Sequence, residues 1–507
     1  MELNRRMLLR ATAASGIAAT GVGMGTRPAA AIELECVRSG EFFTEEGAFT
    51  ARDVTIESFD GTAIAGTVYE PDAAGPHPAV LTTHGWGMNR AFLRCTAAMY
   101  ADNGYVVLAY DSRGYGDSGG EVQVNGPKEV SDAQALIDWL ADHDAVIADG
   151  DDPRIGMDGG SYGGGIQLLT AARDDRVDAI VPRIAWNDLV ASGAPNGAIK
   201  SGWLTMLVGL GTVSSRLTGD VGESIDSDLQ GWYAEAMANN AMPEAVIDYF
   251  AERSPTRYLE DLEAPALVIS GWTDTLFPPS EAVANYREID DSGVESRLVM
   301  YGGGHNADEL DVDDDQHEYV NRAALDWMDR HVRGAETDVV PEVSLWDEQS
   351  DTWRTFDAVD ESVDRETVSL SALDGATSTV RHSSFRPDET ATYELDADEV
   401  RIRGAPELSL TIEAHDAPLI CFASLHHVEG RSDGEQIDDQ VTGFRLEETG
   451  THRLELDLEP LLRELPRGDA LELRIEASDP FYLDEHGSAT VQNDESTLTL
   501  PIAEGSL

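Results

Sequence analysis

A serine stands among glycines in the run Asp158-Gly159-Gly160-Ser161-Tyr162-Gly163-Gly164-Gly165. Its core, Gly159-x-Ser161-x-Gly163, has the form of a nucleophile elbow. There a serine occupies a sharp strand-to-helix turn, and the flanking glycines admit strained backbone and close packing. A serine hydroxyl is a weak nucleophile until a base takes its proton, and the base needs an acid to orient it. Two later loops supply both. Asp274 ends Gly271-Trp272-Thr273-Asp274, 113 residues after Ser161, and His305 ends Tyr301-Gly302-Gly303-Gly304-His305, 31 residues after Asp274. The order serine, acid, histidine points to acyl transfer through a covalent intermediate. That chemistry calls for no metal and no cofactor.

A fourth loop, His84-Gly85-Trp86-Gly87, could serve the oxyanion. The expected donors are two backbone N–H groups, that of Tyr162 directly after the nucleophile and that of Trp86. His84 is a rival for the base, but it follows the wrong strand and reads as an organiser of its own loop. Gly116-Asp117-Ser118-Gly119-Gly120 also fits G-x-S-x-G and spells a protease nucleophile motif. Its surroundings are α/β, with no matching upstream histidine, so Ser118 reads as part of a turn.

These loops need strands to carry them. From about Asp53 to Gly334 apolar β runs alternate with helical patterns. The strands expected are Asp53–Phe59, Ala63–Tyr69, Ala79–Thr83, Tyr105–Tyr110, Arg154–Met157, Ala179–Ile184, Ala266–Ser270 and Arg297–Met300. Helical periodicity marks Val130–His143 and His317–Val332. Alternation of this kind predicts a mostly parallel sheet covered on both faces, with Ser161, Asp274 and His305 each just past the carboxyl end of a strand. Residues of about 186–261 show only helical patterns, including Gln230–Met242 and Pro243–Glu252, and read as a helical cap. After Gly334 short alternating strands take over, from Glu342–Trp346 to Ser496–Pro501, with a turn at Pro460–Leu465. The fold class expected is therefore α/β: a hydrolase-type core over 32–338 with its cap, then a β-sandwich of jelly-roll type over 339–507.

Residues 1–31 read as an export signal of the twin-arginine type. Asn4-Arg5-Arg6-Met7-Leu8-Leu9-Arg10 precedes a weakly apolar stretch and Ala29-Ala30-Ala31. The expectation is passage through the twin-arginine machinery to the cell surface or beyond, without stable membrane insertion. Cys36 lacks the small preceding residues that lipid attachment needs. With Cys95 and Cys421 it makes no disulfide framework and no metal-ligand pair. Asp308 to Asp315 holds five aspartates and Glu309, without the spacing of a calcium loop, and reads as a solvated acidic turn.

Composition bounds the partners. Lys plus Arg number 35 against 95 Asp plus Glu, for a formal net charge of −60, and only Lys128 and Lys200 are lysines. So acidic a surface excludes nucleic acid and anionic membranes as partners. Self-repulsion of this size destabilises a compact state in dilute salt. At about 1 M salt the Debye length falls to about 3 Å and the repulsion is screened. The composition is that of a protein adapted to brine.

With these motifs together, the chain resembles the X-Pro dipeptidyl-peptidase and cocaine-esterase group of serine hydrolases. The core resemblance rests on Gly159–Gly164, Gly271–Asp274 and Gly304-His305. That of the β domain rests on Gly404-Ala405-Pro406-Glu407-Leu408, Ile420–Val428 and Leu471–Asp479 before Pro480. It implies hydrolysis of a small ester or a short peptide through an acyl-enzyme. Ser161 would be nucleophile, His305 base and then acid, and Asp274 orienter, with the third domain walling one side of the pocket. One departure stands out. Members of that group often use a tyrosine hydroxyl from the loop after the third strand as an oxyanion donor, and Trp86 here has none. The alternative reading is an exported carbohydrate- or ligand-binding protein on an inactive hydrolase scaffold.

Overall fold

The computed structural model describes residues 27–28, 49–217, 227–305, 312–396, 399–483 and 485–503. The expected signal, save Arg27–Pro28, and Cys36 lie outside them, as do residues 306–311 of the acidic run. Arg27 and Pro28 pair with Ala51 and Thr50 at the edge of the first sheet.

Ten further strands make that sheet. In chain order they are β1 (Phe49–Glu57), β2 (Ala63–Pro71), β3 (Ala79–Thr83), β4 (Val106–Tyr110), β5 (Ile155–Gly160), β6 (Val177–Arg183), β7 (Ala266–Gly271), β8 (Ser296–Tyr301), β9 (Val343–Asp347) and β10 (Thr352–Phe356). Their spatial order is β1-β2-β4-β3-β5-β6-β7-β8-β9-β10. From β4 to β9 all neighbours are parallel, and antiparallel β1, β2 and β10 close the edges. Successive residues of a strand face opposite sides of a sheet. Leu81, Val106 and Leu108 thus enter one core layer, with Leu136 and Ile137 of helix α2 (Pro127–Ala141). Val80, Val107 and Ala109 enter the other, beneath α1 (Arg94–Asp102). Burial on both faces is why these strands read as unbroken apolar runs.

The elbow helix α3 (Tyr162–Ala171) follows β5. Between β6 and β7 come α4 (Leu189–Gly193), α5 (Ser201–Leu217), α6 (Ser227–Asn239) and α7 (Glu244–Ala251), in the interval expected to form a helical cap. After β7 come α8 (Pro279–Asp291) and, beyond β8, α9 (Asp314–His331). Asp313 caps α9, its carboxylate accepting from Gln316 N. The acidic run thus ends as a helix start.

Two expectations are corrected. Glu342–Trp346 was assigned to the C-terminal domain, but Val343–Asp347 pairs parallel with β8 and extends the first sheet. Helix α9 returns the chain for one more crossover, so this sheet runs on to Phe356, past residue 338. Leu461–Leu465, read as a turn, is a strand antiparallel to Val400–Gly404. From Val363 the chain builds eight-stranded and five-stranded antiparallel sheets around one core, a β-sandwich. This second domain braces the cap: Phe481 O accepts from Gly202 N at 2.8 Å, and Gly443 O accepts from Asn196 Nδ2 at 3.1 Å.

The cysteines also depart from expectation. Cys95 is disulfide-bonded. Cys421 is a free thiol in the second domain, its pKa pushed up to about 12 by burial. Among the described residues no helix is long and apolar enough to cross a membrane.

Candidate active site

Ser161 sits at the junction of β5 and α3 with φ 56° and ψ −116°. A non-glycine residue there carries strain of roughly 1–3 kcal/mol, which the surroundings must hold. Ser161 N donates to Arg183 O at 2.8 Å, and Ser161 O accepts from Gly164 N and Gly165 N at 2.8 and 2.9 Å. Close packing explains the glycines. A Cβ on Gly163 would lie 2.1 Å from Thr83 O, so only glycine lets the elbow helix press against the end of β3.

Asp274 and His305 leave the same edge of the sheet, beyond β7 and β8, whose ends pair as Gly271 with Tyr301. A Cβ on Gly271 would meet Gly303 O at 1.7 Å, so the two loops touch through bare backbone. Asp274 is fully buried. Its Oδ1 accepts from Leu276 N and Phe277 N, and its Oδ2 receives His305 Nδ1 at 2.5 Å. The carboxylate is thereby fixed on one side and presented to the imidazole on the other. His305 Nε2 is buried and has no hydrogen-bond partner among the described residues. Trp203 and Phe277 hold the ring edge-on at centroid distances of 6.2 and 5.1 Å. Both also line the pocket into which Ser161 opens.

The loop after β3 lies beside the serine, since a Cβ on Gly85 would sit 3.9 Å from Ser161 Cβ. Trp86 is pinned by its indole N–H, which donates to Leu207 O at 2.8 Å. Its ring packs edge-on against Tyr115 and Tyr162. Tyr162 is the first residue of α3, so its backbone N–H is one of the four donors that a helix leaves without an internal acceptor.

His84 is fully buried, and desolvation lowers its pKa. Its Nε2 accepts from Ser112 N at 3.1 Å, so Nδ1 carries the proton and donates to Gly85 O at 2.8 Å. Both nitrogens are committed to loop structure. Ser118 is equally committed: its hydroxyl donates to Asp111 O at 2.6 Å and accepts from Ala65 N at 2.8 Å.

Several supporting residues escaped the motifs. Tyr162 OH donates to Glu129 at 2.6 Å, and Asn125 Nδ2 donates to Tyr162 O at 2.7 Å, so the residue after the serine is gripped at both ends. Lys200 is buried at the foot of the cap, donating to Thr275 O and Leu276 O at 2.9 and 3.2 Å. From the second domain, Gln440 Nε2 donates to Trp272 O and Asp274 O at 2.7 and 3.0 Å. The corrected strand contributes as well, Trp346 O accepting from Trp272 Nε1 at 2.9 Å. The acid loop is thus held from three sides. One signal was available in the sequence: in a chain with two lysines, Lys200 falls inside the cap. Glu129 and Gln440 carry no comparable mark.

Burial raises Glu129 to a pKa of about 7 from its ordinary 4.5. A carboxyl raised in this way favours the fold below its unfolded pKa and loses that contribution as pH rises through the folded value. Urea unfolding should therefore show the wild type losing stability relative to Glu129→Gln, by up to ~3 kcal/mol, between about pH 4 and pH 8. A difference that stays constant with pH would show that Glu129 is not shifted.

Comparison with known proteins now bears on this geometry. Residues 60–307 match the family model of the X-Pro dipeptidyl-peptidase (S15 family). The chain is similar to the cocaine esterase of Rhodococcus sp. (strain MB1 Bresler), 27% identical over 349 residues, covering 60% of this chain and 59% of that protein. A CocE/NonD family hydrolase from Staphylococcus aureus superposes with a TM-score of 0.72 at 15% identity, over 90% of this chain and 94% of that one. An α-amino acid ester hydrolase superposes at 0.63 and 14%, over 92% and 98%. The fold is that of the α/β hydrolases. The second domain belongs to the shared architecture, since the superpositions cover nearly the whole of both chains. Among the described residues no His, Cys, Asp and Glu side chains are grouped to hold a metal.

Proposed function

We propose that this α/β hydrolase is a serine hydrolase that cleaves ester or X-Pro amide bonds through an acyl-enzyme. The observation that carries the reading is the buried Asp274–His305 pair, whose Nε2 has no partner among the described residues, on the edge where Ser161 is held in a strained elbow. His305 Nε2 takes the Ser161 proton as Oγ attacks the carbonyl carbon. The oxyanion that forms is met by the backbone N–H groups of Tyr162 and Trp86. As the tetrahedral centre collapses, the bond to the leaving group breaks and His305 returns the proton to it. Water then repeats the sequence: it gives its proton to His305, attacks the acyl carbon and releases the acid, and the proton goes back to Ser161 Oγ. Asp274 holds Nδ1–H and stabilises the imidazolium at each stage. Rapid quenching during ester turnover, followed by mass spectrometry of peptides, should find one acyl group on the Ser161 peptide. Turnover with every serine peptide unmodified would contradict the reading.

We propose further that the chain works outside the cytoplasm and in concentrated salt. The twin-arginine pattern supports the first, and so does the bonded Cys95, because disulfides persist in oxidising compartments. The net charge of −60 supports the second. Thermal unfolding should give a Tm higher by tens of degrees at about 3 M NaCl than at about 0.1 M, since screening removes the self-repulsion. A Tm independent of salt would contradict it. Secretion of a fusion that stops when Arg5 and Arg6 become Lys tests export; unchanged secretion counts against the twin-arginine route.

A further inference from the structure

The pocket beside Ser161 encloses about 1180 Å³, its open mouth included. Its walls are almost wholly apolar, with Trp203, Leu207, Trp232, Val246 and Phe250 contributed by the cap and Phe277 by the loop after β7. No carboxylate lines it among the described residues. Among the described lining residues the one with an ionisable amine or acid side chain is Lys200, whose Nζ is turned to the carbonyls of Thr275 and Leu276. A substrate bearing a free amine would bring an ammonium into this space with no carboxylate among the described lining residues to pair it. Burying an unpaired charge is among the costliest events in a protein interior.

His305 decides which half of the substrate enters. The leaving group must lie against His305 Nε2 to receive its proton, whereas the pocket is lined by Ser161 and by Trp86 and Tyr162, the residues assigned to the oxyanion. The space that begins at the serine on that side is assigned to the acyl half. Resting on the serine-hydrolase reading above, we propose that the pocket binds the acyl half of an ester carrying an uncharged apolar chain of medium to long length, and that it rejects acyl groups with a free α-amine. The chain would thus be an acyl esterase, not a dipeptidyl-peptidase, despite the matching family model.

The test uses the full chain in high salt with three sets of substrates. Across p-nitrophenyl esters from acetate to octanoate, kcat/KM should rise about fourfold per methylene. Methyl 3-phenylpropanoate should be cleaved about a hundredfold faster than phenylalanine methyl ester, from which it differs by the amine alone. Gly-Pro-p-nitroanilide should be the poorest substrate. Ala236→Phe on α6, which projects into the pocket wall, should lower the ratio of octanoate to acetate turnover. A flat chain-length profile, or preference for the amine-bearing ester or the anilide, overturns the inference while Ser161-dependent turnover keeps the reading beneath it. Turnover that survives Ser161→Ala overturns that reading, and the inference with it.

Discussion

Replacing Ser161 with alanine is expected to lower kcat by about a million-fold while leaving KM for a good ester nearly unchanged. The size follows from the way such groups work as a unit: without the hydroxyl, the base and its acid have no nucleophile to activate. What remains is the rate that binding and backbone donors alone supply, roughly a thousandfold or more above water. The fold should tolerate the change, because the hydrogen bonds that hold the elbow run through Ser161 N and O, not through its side chain. A melting temperature close to that of the wild type in the same salt makes the kinetic result interpretable. Ester hydrolysis that persists within tenfold of the wild type would remove Ser161 from the mechanism.

Asp274→Asn should cost about ten-thousandfold in kcat. The amide has the shape of the carboxylate and can still accept from Leu276 N and Phe277 N through its oxygen. Its NH2 then faces His305 Nδ1, where Oδ2 stood at 2.5 Å. Two donors cannot share that contact, so the imidazole must accept at Nδ1 and place its proton on Nε2. In that tautomer it cannot take a proton from Ser161. The loss should fall on kcat more than on KM, and raising the pH should not restore it, since the tautomer and not the ionisation is wrong. Steady-state kinetics on a p-nitrophenyl ester read both parameters. A loss below tenfold would mean that His305 is oriented by something other than Asp274.

Much of this site was legible because each key residue ends an apolar run. The runs Ala79–Thr83, Ala266–Ser270 and Arg297–Met300 are strands with the boundaries that alternation of buried faces predicts, give or take a residue. The glycines after them mark places where backbone meets backbone, as at Gly271 against Gly303. The strand Val343–Asp347 was misassigned for a physical reason: its residues alternate like those of the sandwich that follows, and periodicity does not say which sheet a strand joins. Leu461–Leu465 follows a proline and is short, so turn chemistry masked its pairing with Val400–Gly404. Gln440 and Glu129 act over long sequence distances through ordinary polar side chains, which no local pattern distinguishes. The acidity that marks the whole sequence also hid what bears on the proposed substrate, which is that no acid stands among the described residues that line the pocket.

The central claim is that Ser161, and no other serine, is the activated nucleophile. A fluorophosphonate probe reacts with serines made nucleophilic by a neighbouring base, and digestion with peptide mass spectrometry shows where it lands. The account predicts a single adduct on the peptide containing Ser161, lost in His305→Ala and absent from Ser118. An adduct on Ser118, or no adduct in a folded chain that hydrolyses esters, would contradict it.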